Sequence, residues 1–164
     1  MAINSEITSI RHAAAMLGQK ELKKWINAVV SHELCADKPN EITRLSLLRA
    51  KFAENLAPTF EMASLSSELF LMGLFSVLDI ILDKPMKEAL QMVNVSKEIT
   101  EALVDKKGDL AKVFEFISCY EIAQWSELSR QRIVYNINVA PVYDAYVEAL
   151  AWYRDLFGTV QDKK

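Results

Sequence analysis

The sequence predicts an all-α fold, a single compact multi-helix domain. Three observations predict it. Apolar residues recur every three to four positions through most of the chain, as one face of a helix requires. No stretch alternates convincingly with a period of two. The four glycines and four prolines mostly fall between the periodic segments, where they punctuate them.

Taken in order, Ser9 to Leu17 reads as a short helix capped by Gly18. A second helix is predicted from Gln19 to Leu34, with Leu22, Trp25, Ile26, Val29 and Val30 on one stripe. Pro39 and Asn40 break the chain, and Asn40 suits an N-cap. The third helix carries Ile42, Leu45, Leu48, Phe52 and Leu56 on one face and stops near Pro58. A central helix then runs from Ser66 or Ser67 to Asp83 and Lys84. It is apolar nearly all round from Leu69 to Leu82, which places it at the centre of a bundle.

Pro85 fits the first turn of the next helix, striped by Met86, Leu90 and Val93. Ser96 caps a helix holding Ile99, Leu103 and Val104, and Gly108 ends it. Asp109 opens another, with Leu110, Val113, Phe114 and Ile117 inward. Ser126 caps a short segment to about Arg132. The last helix is predicted from about Ala140 to Gly158, with Tyr143, Tyr146, Leu150, Tyr153 and Phe157 along one side. That aromatic stripe reads as core; an exposed Trp152 would instead anchor an interface. Val134 to Val139 is the best strand candidate, and a weak one.

The bulk numbers exclude several classes. With 164 residues, 51% hydrophobic and 25% charged, the chain is ordered and of one-domain size. Its formal charge is −3, from 19 basic and 22 acidic residues, so no field points to nucleic acid. Lys20, Lys23 and Lys24 form one basic turn, and Lys106 and Lys107 another. Neither is interleaved with base-stacking aromatics, so both read as solvated faces. The apolar run is too short to span a bilayer and contains Asp79. The first residues show no leader pattern. Cys35 and Cys119 read as two buried free thiols in a reducing, cytoplasmic setting.

Motifs for chemistry are sparse. There are two histidines, His12 and His32, and neither is followed by Asp. The position four residues after His32 is Ala36, so the zinc-protease pair is absent. Four scattered glycines build neither a P-loop nor a Rossmann turn. No Gly-x-Ser-x-Gly elbow and no Cys-x-x-Cys pair occurs. Asp79, inside the apolar run, needs a partner or water, since an unpaired buried carboxylate costs several kcal/mol. A structural salt bridge, with Arg11 or a backbone N–H, is the favoured reading; a residual ligand-binding carboxylate is the other.

The run Gly73-Leu74-Phe75-Ser76-Val77-Leu78-Asp79 resembles the metal-dyad helix of HD-type phosphohydrolases. There Gly-Leu-Leu precedes His-Asp; here Ser76 and Val77 stand in the dyad positions. A hydroxyl and an isopropyl group cannot replace an imidazole and a carboxylate on a divalent metal. Together with Ile7 to Ala13, Leu17-Gly18, Leu22 to Trp25, Arg44 to Arg49, Pro85-Met86 and Ser96 to Leu103, this run makes the chain similar to the HDOD domain. That is a modified HD-GYP module found after cyclic-di-GMP phosphodiesterase-type EAL domains in bacterial signalling proteins.

The resemblance implies a degenerate HD-domain-like bundle over residues 1–164, with no catalytic residue, no metal, no cofactor and no enzymatic activity. It implies a cytoplasmic regulatory role in cyclic-di-GMP signalling. The module would work through contact with an EAL domain in cis, another protein partner or a second copy, with no nucleic acid and no membrane. The alternative is a nucleotide sensor using the vacated pocket, lined by Asp79, Arg11, His12, Lys106 or Lys107. Lys106 and Lys107 stand near the place where other HDOD domains often keep a His-His pair. Family members usually carry extra helices before the Ile-x-Ser-Ile-Arg-His segment. This chain starts almost at that segment, which admits an excised fragment or a bundle lacking part of its helices.

Overall fold

A computed structural model describes residues 41–93 and 95–161, with side chains placed through residue 155. The expectations for the first two helices, Asn40, Arg11, His12, His32 and Cys35, and for the Phe157 side chain, lie outside what it describes. The described residues form eight α-helices and no strand. They are α1 (Glu41–Leu56), α2 (Ser66–Phe75), α3 (Leu78–Leu82), α4 (Met86–Val93), α5 (Lys97–Thr100), α6 (Asp109–Glu121), α7 (Trp125–Val134) and α8 (Ala140–Gln161). The predicted fold class is the observed one.

α1 and α2 make the most extensive helix pair, and Gly73 sets how closely they meet. A Cβ there would lie 2.5 Å from the Arg49 carbonyl oxygen and 2.6 Å from Ala50 Cα. Only a hydrogen atom fits between these backbones. α2 is buried on every side from Leu69 to Phe75, as its unbroken apolar sequence requires. α8 crosses α1, where Asn55 Nδ2 donates to the Ala145 carbonyl at 3.0 Å. Phe52 of α1 fills this crossing, 5.4 Å from the Tyr120 ring and 5.2 Å from the Tyr146 ring.

The predicted central helix is two helices. It breaks at Ser76 and Val77, where Val77 leaves the helical region (φ −123°, ψ 15°). The Ser76 N–H turns to the Gly73 carbonyl at 3.3 Å, and the Val77 carbonyl starts α3. The helix capped by Ser96 changes character part-way. Its hydroxyl accepts from the Ile99 N–H at 3.4 Å, but Glu101–Asp105 widens into a π-turn. Lys106 closes that turn in the left-handed region (φ 56°), a position expected of Gly108. Gly108 (φ 85°) instead leads into α6.

Ser126 does not cap α7, which begins one residue earlier and runs to Val134. The weak strand candidate Val134 to Val139 is the end of α7 and a turn through Asn136 (φ 53°). On α8 the buried residues are Val142, Ala145, Ala149 and Trp152, while Tyr143 and Leu150 face outward. Trp152 is therefore core, its ring edge-on to Phe70 at 6.3 Å. Cys119 is a buried free thiol, as expected. No described helix is long and apolar enough to cross a membrane.

Candidate functional site

Ser76, the first of the two residues compared with the dyad, is buried and fully engaged. Its hydroxyl donates to the Gly73 carbonyl at 2.7 Å and accepts from Arg49 Nη1 at 3.2 Å. The break between α2 and α3 thus has a polar plug of its own. Arg49 arrives from α1, because it lies seven residues after Ile42 and four after Leu45, on the inward side of that helix. Its remaining donors form a fork on Glu121 at the end of α6, with Nε to Oε1 at 2.8 Å and Nη2 to Oε2 at 2.7 Å. The guanidinium also lies 5.8 Å from the centre of the Phe114 ring.

One side chain therefore ties α1, the α2–α3 break and α6 together. The partly buried fork geometry is the strong form of an ion pair. One turn earlier on α1, the buried Ser46 hydroxyl donates to the Leu74 carbonyl at 2.6 Å. What this arrangement does chemically is to hold. The Ser76 proton is committed to a backbone carbonyl, and the Arg49 charge to Glu121.

The other predicted site residues do not join this clasp. Val77 is buried hydrocarbon at the head of α3. Asp79 sits in the first turn of α3 with its side chain partly exposed. It lines a shallow recess with Ile80, Asp83, Lys84 and Pro85, so water reaches it. Arg11, its suggested partner, is outside the described residues. The Lys106 ammonium donates to the Leu103 carbonyl at 2.8 Å and lies over the Phe114 ring, 4.8 Å from its centre. Lys107 is exposed, its backbone N–H bonded to the Glu101 carbonyl. Among the described residues, no three His, Cys, Asp or Glu side chains are grouped to hold a metal ion.

A separate cleft of about 420 Å³ opens beside the start of α2, between α5 and the head of α6. Its lining combines apolar Leu65, Leu71, Ile99 and Leu110 with acidic Glu68, Glu98, Glu101 and Asp109. Glu101 pairs with Lys97 and Asp109 with Lys112 along their own helices.

Burial raises the pKa of the Cys119 thiol, and the nearby Glu127 carboxylate adds to the effect. The thiolate is disfavoured, so Cys119 is a poor nucleophile. Burial likewise raises the Tyr120 phenol. Glu127 is held below its ordinary value, first by its hydrogen bond from Arg130.

No family model matches the chain, and no solved structure does. Two curated proteins match it. The chain is 28% identical over 154 residues to the cyclic di-GMP phosphodiesterase CdgJ of Vibrio cholerae, an alignment covering 94% of this chain and 36% of CdgJ. It is 30% identical over 160 residues to the uncharacterized protein YuxH of Bacillus subtilis, covering 94% of this chain and 38% of YuxH. The chain spans little more than a third of the length of these relatives.

The match to CdgJ corrects one expectation. With Ser76 and Val77 in the places compared with the dyad, the expectation was a domain with no enzymatic activity. A relative aligned with nearly the whole chain is a phosphodiesterase by name, and that reading is withdrawn. Ser76 and Val77 are two residues at one helix break, and they do not settle the activity of the protein around them.

Proposed function

We propose that residues 1–164 form one HDOD-like helical domain of a bacterial cyclic-di-GMP phosphodiesterase protein. The domain regulates the enzyme through contact between folded modules. The observation that carries this reading is the alignment of 94% of the chain with the phosphodiesterase CdgJ. The Gly-Leu-Phe-Ser-Val-Leu-Asp run supports the HDOD assignment, with Ser76 and Val77 in the places of the lost dyad. An EAL-type phosphodiesterase domain in the same cytoplasmic protein is the partner this likeness favours.

The geometry suits a body that transmits force. Packed helices shift between discrete arrangements instead of deforming smoothly. Arg49 links three helices, so a push on α6 is felt at α1 and at the α2–α3 break. The test is the rate of cyclic di-GMP hydrolysis in the protein that carries this domain, with Arg49→Ala and Trp125→Ala compared with the parent. A change of several-fold in either variant, with the helical circular dichroism retained, is the expected result. Equal rates in all three proteins would remove the regulatory reading.

A further inference from the structure

α8 carries two apolar faces, and only one of them is used within the described residues. Val142, Ala145, Ala149 and Trp152 are buried against the core. On nearly the opposite side, about 150° round the helix, Tyr143, Val147 and Leu150 form a second stripe, with Tyr143 67% exposed. Arg154 continues the same line and is 75% exposed at its side chain. The stripe does not end with the helix surface. Tyr146 beside it lies 5.4 Å from the Tyr120 ring, and Tyr120 lies 6.2 Å from the ring of Trp125. Trp125 is 62% exposed and Ile122 65%, so the patch runs from α8 to the corner between α6 and α7. Tyrosine, tryptophan and arginine are the residue types enriched among interface anchors.

The order of residues along the stripe matches itself when reversed. Laying α8 antiparallel on a second α8 can bring Val147 opposite Leu150 and Tyr143 opposite Arg154, each pair occurring twice. Aliphatic then meets aliphatic, and a guanidinium meets an aromatic ring, a favourable contact. Asp144, next to Tyr143, adds a carboxylate within reach of the same arginine. Arg154 now holds its neighbour Asp155 at 2.8 Å, an exposed pair that is exchanged at little cost. Such self-complementarity is what a two-fold symmetric interface requires.

We propose that the chain forms a symmetric dimer through antiparallel packing of α8, with Trp125 and Ile122 widening the contact. This goes beyond the regulatory reading and does not depend on cyclic di-GMP. Sedimentation equilibrium of the full chain tests it. The parent is expected to dimerise with a Kd of about 1–100 µM. Val147→Glu should weaken the dimer at least about tenfold while leaving the helical circular dichroism intact, since residue 147 is outside the core.

A charge exchange fixes the register. Arg154→Glu alone and Tyr143→Arg alone should each weaken association about fivefold, and the double variant should restore it, because glutamate then faces arginine across the interface. A parent that stays monomeric at about 1 mM overturns the proposal and leaves the patch to another domain. A dimer indifferent to Val147→Glu, or one that the double variant fails to restore, overturns it equally.

Discussion

The α1–α2–α6 side of the molecule and the α7–α8 flank are built on opposite terms. On the first, every large apolar side chain of α2 is enclosed, and the polar atoms of Ser46, Arg49 and Ser76 all have partners. On the second, Ile122, Trp125, Ile133, Val134 and Tyr143 stand more than half exposed. The first side fixes one arrangement. The second leaves apolar and aromatic surface to be covered by something else. A rigid interior beneath an apolar flank is what the proposed regulatory role would use, because a contact made outside is passed to the interior without being absorbed.

Substitutions on the fixed side should be expensive. The largest effect is expected from Gly73→Ala. Its methyl group would meet backbone atoms of Arg49 and Ala50 at 2.5–2.6 Å, and backbone cannot swing aside. The helices must separate, at about 3 kcal/mol, read as a lower urea midpoint at unchanged m-value. A loss under about 1 kcal/mol would show that the α1–α2 crossing slides easily, and the contrast between the two sides would fail.

Arg49→Ala comes next. It leaves Glu121, only 21% exposed at its side chain, without its fork, and Ser76 without a donor. About 2 kcal/mol of destabilisation is expected, less than for a fully buried pair because both groups retain some water. Adding Glu121→Gln should recover part of that loss, since the orphaned charge is then gone. A purely additive double variant would mean that Arg49 acts through packing on Phe114 instead of through the carboxylate.

The sequence carried the all-α class and the apolar centre plainly, since the 69–82 run has no polar face to put outward. It did not carry the break at Ser76 and Val77. Both residues are compatible with helix, and the hydroxyl's donor Arg49 comes from another helix 27 residues earlier, which periodicity does not couple to it. Arg49, a charge beside the apolar stripe of α1, was not singled out from the sequence. Its partner Glu121 lies 72 residues on, and nothing local links the two. The outward face of α8 was misread for a related reason. Aromatic residues at helical spacing look like core, yet small Ala145 and Ala149 are what allow α8 to lie against α1.

The smallest effects belong to the flank, where the comparison can be sharpened. Ile133 is 79% exposed, so Ile133→Glu should alter stability by no more than about 0.5 kcal/mol. The neighbouring corner offers a gain. Ala123 joins α6 to α7 with φ 55°, a left-handed conformation that brings Cβ close to the following carbonyl oxygen. Glycine has no such clash, although it loses more freedom on folding. The two terms oppose each other, and the strain outweighs the extra entropy only slightly. Ala123→Gly should therefore stabilise the chain by about 0.5 kcal/mol, seen as a small rise in the urea midpoint. A fall instead would mean that the Ala123 methyl group makes contacts worth more than its strain. The corner beneath Trp125 would then belong with the fixed side of the molecule.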